Sequence, residues 1–175
     1  VSVGVFVVQA LDERLAGDPA LMAALPGDAM VRVIAAGADG LDVATEALRE
    51  AAQGGSVDAV HVLSHGSAGQ LSLGRDAIDT SRLTQNADQL ASWSHYLGDD
   101  ADILLYGCDI GAGERGTTLL QQMAMLTGAD LAASTNATGN AARGGDWQLE
   151  LSTGSIEARS LVAAYDGLLA APTIT

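Results

Sequence analysis

Lysine is absent from this 175-residue chain, whose eight basic residues are all arginine and are outnumbered by 22 acidic residues. The resulting net charge of −14 repels phosphate backbones, so we expect no nucleic-acid partner. No run of about 18 apolar residues occurs either, and we therefore expect no segment to insert directly into a membrane.

Cysteine and aromatic residues are scarce as well. The single cysteine excludes an internal disulfide and a zinc site built from several cysteines, and we expect neither a metal nor a cofactor. With one Phe, two Trp and three Tyr, the core must be built from Ala, Val, Leu and Ile. The length suits one domain. Because the chain starts at Val1 without an initiator methionine, we expect it to be part of a longer polypeptide.

Apolar runs alternate with segments of helical periodicity through most of the chain. The runs predict strands at 3–8, 30–35, 57–63, 102–106 and 129–133. The periodic segments predict helices at 12–25, 41–52, 81–97 and 115–127. Repeated strand–helix alternation is typical of a mostly parallel sheet covered on both faces. The fold class is therefore α/β, a three-layer sandwich with a mostly parallel central sheet.

The last part of the chain follows another pattern. Alternating residues at 146–151 and 155–158 predict a C-terminal β-hairpin that turns at Thr153-Gly154. We expect residues 1–168 to form the domain and residues 169–175 to begin a linker to further domains.

His65 and Cys108 follow two consecutive predicted strands, and each has a glycine beside it. Ligands of open parallel sheets bind beyond the carboxyl ends of the strands, and neighbouring strands lie about 4.8 Å apart. We therefore expect both side chains on the same edge of the sheet. An imidazolium beside a thiol favours the thiolate nucleophile, and the imidazole can later protonate a leaving amine. The backbone N–H groups of Gly66 and Cys108 are the candidate oxyanion hole.

The two strand ends, Ser64-His65-Gly66 and Tyr106-Gly107-Cys108-Asp109, resemble those of the caspase-like peptidase superfamily, which includes caspases, metacaspases, gingipains and separase. The His–Cys spacing is slightly shorter than the roughly 50 residues of caspases. Only the cysteine and its strand-end context are shared with the caspase cysteine motif itself. The resemblance implies a caspase-like fold and a catalytic dyad of His65 and Cys108.

Three further residues are candidates for a substrate pocket at this edge of the sheet. Asp39 and Asp109 could each line a pocket for a basic side chain, as aspartates do in some caspase-like peptidases. Tyr106, which precedes the Gly-Cys pair, is the third candidate. The alternatives are that Asp39 only begins a helix and that Asp109 only forms a turn.

A second resemblance covers about Val3 to Leu169. It is to an uncharacterised domain family near the N-termini of very large bacterial surface and adhesin-like proteins. This resemblance implies a secreted or cell-surface location and processing of the domain's own polypeptide, a substrate in cis. The alternative is a non-catalytic docking or anchoring module. The segments that carry the resemblance are Asp39-Gly40, Ser64 to Gly69, Leu104 to Asp109, Leu126 to Asp130, Ala133-Ser134 and Gly144 to Glu150.

Two other patterns in the sequence bear on ligand binding. Gly111, Gly113 and Gly116 match the GxGxxG dinucleotide fingerprint, but the acidic residue that would follow, Asp130, comes at the start of a strand and could not meet a ribose. The remaining histidines are too scattered for a zinc site. Nucleotide and zinc binding are therefore disfavoured.

Overall fold

The computed structural model describes residues 3–10, 29–160 and 168–169, together with Pro19 and Ala23. Nine strands run through this part of the chain: β1 (Val3–Ala10), β2 (Met30–Ala35), β3 (Val57–Leu63), β4 (Gly66–Ser67), β5 (Gln70–Leu73), β6 (Asp76–Ile78), β7 (Leu97–Tyr106), β8 (Asp130–Ala133) and β9 (Leu151–Ser152). Six of them form the central sheet in the order β2-β1-β3-β7-β8-β9. All neighbours in that sheet are parallel except β9, which is antiparallel to β8.

Helices connect the parallel strands and flank the sheet. They are α1 (Gly40–Ala51), α2 (Thr80–Gln85), α3 (Ala87–Ser92) and α4 (Gly113–Thr127). A separate antiparallel sheet, β4-β5-β6, follows β3. The predicted three-layer α/β fold with a mostly parallel central sheet is thus confirmed. Most of the predicted helix at 12–25 lies outside the described residues, and within it Pro19 and Ala23 are helical.

Alternating residues of the central strands enter two separate apolar clusters, as expected for a sheet buried on both faces. In β3, Val60 and Val62 belong to the larger cluster, which also contains the buried side chains of the helices, whereas Leu63 belongs to the smaller one. The buried members of the smaller cluster are Leu63, Leu104, Tyr106, Cys108, Trp147 and Leu169. The predicted cysteine nucleophile therefore belongs to the smaller apolar layer.

The helix predicted at 81–97 is shorter than expected and is broken. Asn86, with φ −112° and ψ 27°, separates α2 from α3, and β7 already begins at Leu97. The periodicity predicts four inward positions. Leu83, Leu90 and Trp93 are buried, whereas Leu97 is half-buried and is the first residue of β7.

The predicted pairing of 146–151 with 155–158 in a C-terminal hairpin is not formed. Instead, Leu151–Ser152 pairs antiparallel with β8. The N–H groups of Glu157 and Ala158 donate to the carboxylate Oδ2 of Asp102, at 2.8 and 2.7 Å, so they are not available for a strand ladder. The boundary predicted after residue 168 falls one residue before Leu169, which is fully buried.

Candidate functional site

Strands β3 and β7 bring His65 and Cys108 to the same edge of the sheet. Their parallel pairing places Leu63 opposite Tyr106. The Ser64 N–H then donates to the carbonyl oxygen of Tyr106 at 3.0 Å, which continues the pairing to the residue before His65. His65 and Cys108 therefore each lie two residues beyond the aligned pair of Leu63 and Tyr106. Both are buried, with 5% of His65 and 3% of Cys108 exposed.

Glycine allows the two loops beyond these strands to pack backbone against backbone. A Cβ atom on Gly107 would lie 2.7 Å from the carbonyl oxygen of Ser64, and one on Gly66 would lie 2.8 Å from that of Cys108. Both distances are shorter than a carbon–oxygen contact allows. The glycines beside the predicted dyad are therefore required by the close approach of the loops.

The N–H groups of Gly66 and Cys108 converge on a single oxygen atom. Both donate to the main-chain carbonyl oxygen of Leu169, at 3.1 and 3.2 Å. The backbone nitrogens of Gly66 and Cys108 therefore lie close together, because both are within hydrogen-bond distance of the same oxygen atom. The pair of donors expected as an oxyanion hole thus binds one peptide carbonyl of the same chain.

The Cys108 thiol lies against the backbone of Thr138. The Thr138 N–H donates to Sγ at 3.2 Å, and Sγ lies 3.6 Å from the Thr138 carbonyl oxygen, to which the thiol can donate. Burial raises the pKa of Cys108 above its ordinary value, and the hydrogen bond from Thr138 only partly opposes this shift. The thiol is therefore protonated at neutral pH in this structure, and a base must remove its proton before it can act as a nucleophile.

Tyr106, which belongs to the same apolar cluster as Cys108, packs against two other side-chain rings. The rings of His61 and Tyr106 are stacked, with centroids 5.9 Å apart, and His61 Nδ1 lies 3.3 Å from the Tyr106 hydroxyl. The ring of Trp147 packs at an angle against that of Tyr106, with centroids 6.0 Å apart. Burial lowers the pKa of His61 to about 4. His61 is therefore neutral at pH 7 and contributes packing rather than charge.

The three predicted pocket residues lie in different surroundings. Tyr106 is buried in the same apolar cluster as Cys108. Asp109 is exposed and has a left-handed backbone, with φ 61°. Asp39 caps α1, and its carboxylate faces the guanidinium groups of Arg75 at 3.6 Å and Arg82 at 3.9 Å. A pocket role for these residues stays a prediction, and Asp39 already has two arginines of its own chain as ion-pair partners.

Three parts of this site were not predictable from the sequence: Thr138, Trp147 and Leu169. Thr138 lies in a loop of small residues, and Leu169 falls in the segment predicted to begin a linker. Trp147 falls in the segment predicted to form the C-terminal hairpin. Thr138 and Leu169 contact the cysteine through backbone atoms, so their side-chain chemistry carried no signal.

A cluster of acidic side chains lies at the other end of the sheet. Among the described residues, Asp102, Asp130 and Glu157 bring carboxylate oxygens within 4.8 Å of one another, a spacing that could hold a metal ion. Asp102 is opposite Asp130, the first residue of β8, and hence far from the strand ends that carry His65 and Cys108. Burial is the main cause that raises the pKa of Asp102, and the charges of the other two acids add to it.

The GxGxxG segment has a packing role in this fold. A Cβ atom on Gly116 would lie 2.1 Å from the carbonyl carbon of Gly111, so the first turn of α4 can pack on the preceding loop only without a side chain there. Asp130 lies in the acidic cluster at the amino end of β8 rather than beside this loop. Gly116 is therefore explained by packing, and Gly113 by its left-handed backbone with φ 65°.

Within the described part of the chain, no helix combines the length and apolar character needed to cross a membrane. No curated protein matches the sequence. A protein family does match it over residues 8–169, a span that includes the two strand ends, Thr138 and Leu169. The chain therefore belongs to the family described as a domain of unknown function, DUF4347.

Proposed function

We propose that this domain is a cysteine endopeptidase of the caspase-like type, with Cys108 as nucleophile and His65 as general acid and base. One observation carries the proposal: the N–H groups of Gly66 and Cys108 both donate to a single peptide carbonyl oxygen. Preorganised donors aimed at a carbonyl oxygen beside a nucleophile are the main requirement of acyl transfer, because negative charge develops on that oxygen.

The proposed reaction uses these groups in order. His65 takes the proton of the Cys108 thiol as the sulfur attacks the substrate carbonyl carbon, and the Gly66 and Cys108 N–H groups stabilise the oxyanion. His65 then gives the proton to the leaving amine as the peptide C–N bond breaks. Water hydrolyses the resulting thioester and restores the thiol. The raised pKa of Cys108 favours proton transfer during the attack over a preformed thiolate.

The proposed substrate is the polypeptide that carries the domain. The resemblance to N-terminal domains of very large bacterial surface and adhesin-like proteins supports this substrate, together with a secreted or cell-surface setting. The strongly acidic surface, with its net charge of −14, is compatible with a protein substrate and not with a nucleic acid.

Covalent labelling tests the proposal. Peptidyl acyloxymethyl ketones that present leucine, aspartate or arginine to the nucleophile are incubated with the 175-residue chain, and the modified residue is mapped by mass spectrometry. We expect at least one probe to modify Cys108, no modification in Cys108→Ala, and labelling at least about 100-fold slower in His65→Gln, because a positioned acid–base group contributes about that factor. Equal labelling of the wild-type and His65→Gln proteins would contradict the proposed dyad.

A docking or anchoring module is the second candidate. The buried thiol with its raised pKa favours it, because catalytic thiols are usually depressed in pKa and accessible. If none of the three probes labels the folded chain and simple alkylation of Cys108 requires unfolding, the module is the better description. Labelling that depends on His65 rejects it.

A further inference from the structure

We infer that residues 168–169 occupy the substrate groove of the domain as its own substrate, and that the dyad cleaves the peptide bond between Leu169 and Ala170. This inference rests on the proposed function and names the bond on which the site acts.

The backbone of this segment is bound as a peptide substrate would be. The carbonyl oxygen of Leu169 accepts from the two candidate oxyanion donors, and its N–H donates to the carbonyl oxygen of Thr138 at 2.9 Å. One residue earlier, Leu168 forms an antiparallel bridge with Gly139. Addition of an extended segment to an existing backbone edge is a common mode of peptide recognition, with main-chain hydrogen bonds giving affinity. Residues 138–139 therefore serve as the edge that receives the segment.

The same edge contacts the nucleophile. Thr138 accepts from the Leu169 N–H through its carbonyl oxygen and donates through its own N–H to the Sγ of Cys108. The residue that positions the segment thus also contacts the sulfur. Leu169 is consequently held through both of its backbone groups: its N–H donates to Thr138, and its carbonyl oxygen accepts from Gly66 and Cys108.

The side chain of Leu169 fills an apolar pocket. It is fully buried and belongs to the cluster that contains Tyr106, Cys108 and Trp147. The neighbouring Leu168 is half-buried against the same cluster, and a Cβ atom on Gly145 would lie 2.6 Å from its Cδ2 atom. Such a pocket selects an apolar residue before the scissile bond, in contrast to the basic residue considered from Asp39 and Asp109.

The bond changes balance with water as the only co-reactant. A bond forms between Sγ of Cys108 and the carbonyl carbon of Leu169, and the bond from that carbon to the nitrogen of Ala170 breaks. The thiol proton passes through His65 to that nitrogen, which leaves as a free amine. Water then hydrolyses the thioester, leaving a carboxylate on Leu169 and a thiol on Cys108 and releasing one proton to the solvent or to the new amine.

Intact-mass spectrometry of the freshly purified 175-residue chain tests the inference. We expect the wild-type protein to lose residues 170–175 with time, while Cys108→Ala keeps its full length. Leu169→Ala removes three carbons from the pocket and is expected to slow cleavage at least about tenfold, because the loss of even one methylene from an apolar pocket costs at least about that factor. Met125→Ala, at a side chain that is 81% exposed, serves as the control and is expected to cleave at the wild-type rate.

The outcomes separate this inference from the proposed function. Cleavage that depends on Cys108 but falls at another bond overturns the inference and leaves the peptidase intact. An uncut wild-type chain whose Cys108 still reacts with the peptidyl probes overturns it as well, because the nucleophile is then reactive and yet does not cleave after Leu169. An uncut chain that no probe labels overturns both this inference and the proposed function. The cut position is measured in the wild-type chain, so the test does not depend on the folding of Leu169→Ala.

Discussion

Acidification is expected to destabilise the domain through His61. Burial against Tyr106 lowers the folded-state pKa of His61 from 6.5 to about 4, so the folded protein favours neutral imidazole and the unfolded chain binds the proton more tightly. The contribution of this group to stability is complete above pH 6.5 and is lost as the pH falls toward 4. At 1.36 kcal/mol per pKa unit, we expect a loss of about 2 kcal/mol by pH 5 and about 3 kcal/mol by pH 4.

Urea denaturation of the wild-type and His61→Phe proteins at pH 7, 6, 5 and 4 isolates this effect. Phenylalanine keeps an aromatic ring beside Tyr106 but cannot titrate, and it loses the contact with the hydroxyl, so the variant starts from a different stability at pH 7. The carboxyl groups titrate in both proteins, so their contribution cancels when the unfolding free energies of the two proteins are subtracted. We expect the difference in unfolding free energy to change by about 2 kcal/mol in favour of the variant between pH 7 and pH 5. A difference that stays constant across this range would refute the reasoning.

Three further effects follow from the same geometry. Gly107→Ala is expected to lower the free energy of unfolding by about 1–3 kcal/mol, because the added carbon collides with backbone. Gly37→Ala, where no atom lies within 4 Å of the added carbon, should differ little from wild type in the same denaturation assay. Asp102→Asn is expected to raise the free energy of unfolding at pH 7 in the same assay, because burial and the charges of Glu157 and Asp130 disfavour the Asp102 carboxylate, and a lower free energy of unfolding would contradict this account. Iodoacetamide should alkylate Cys108 of the folded chain with a pH midpoint above that of an ordinary thiol, and a lower midpoint in the rate profile would contradict the raised pKa.

The fold and the edge that carries the predicted dyad could be predicted because they depend on short-range patterns. Continuous apolar runs identified β3 and the buried half of β7, and consecutive parallel strands are usually neighbours in space. Because β3 and β7 are parallel neighbours, the residues that follow them had to lie at the same edge of the sheet. The structure bears this out, with Leu63 opposite Tyr106 and the loops beyond them in backbone contact.

The residues that contact Cys108 from outside the two strand ends could not be predicted, because they act through backbone groups that nearly every residue possesses. Thr138 contacts Sγ with its N–H and carbonyl, and Leu169 offers its carbonyl to Gly66 and Cys108. Nothing in the composition of residues 168–175 separates such a segment from a linker. The C-terminal hairpin failed for a related reason: the buried carboxylate of Asp102 binds backbone N–H groups that the alternating pattern had assigned to a strand ladder.

Under the proposed function, one segment, residues 168–169, both buries the nucleophile and occupies the substrate groove. The segment that fills the smaller apolar cluster also covers Cys108, so another peptide can bind there only after residues 168–169 have left. Cleavage after Leu169 creates a carboxylate where a neutral carbonyl had been. A charge placed beside a buried thiol and apolar side chains is costly unless it is fully paired, which favours departure of the new chain end. Self-cleavage would therefore come before any action on other chains, and labelling of Cys108 by peptidyl probes should be faster in the cleaved protein than in the intact one.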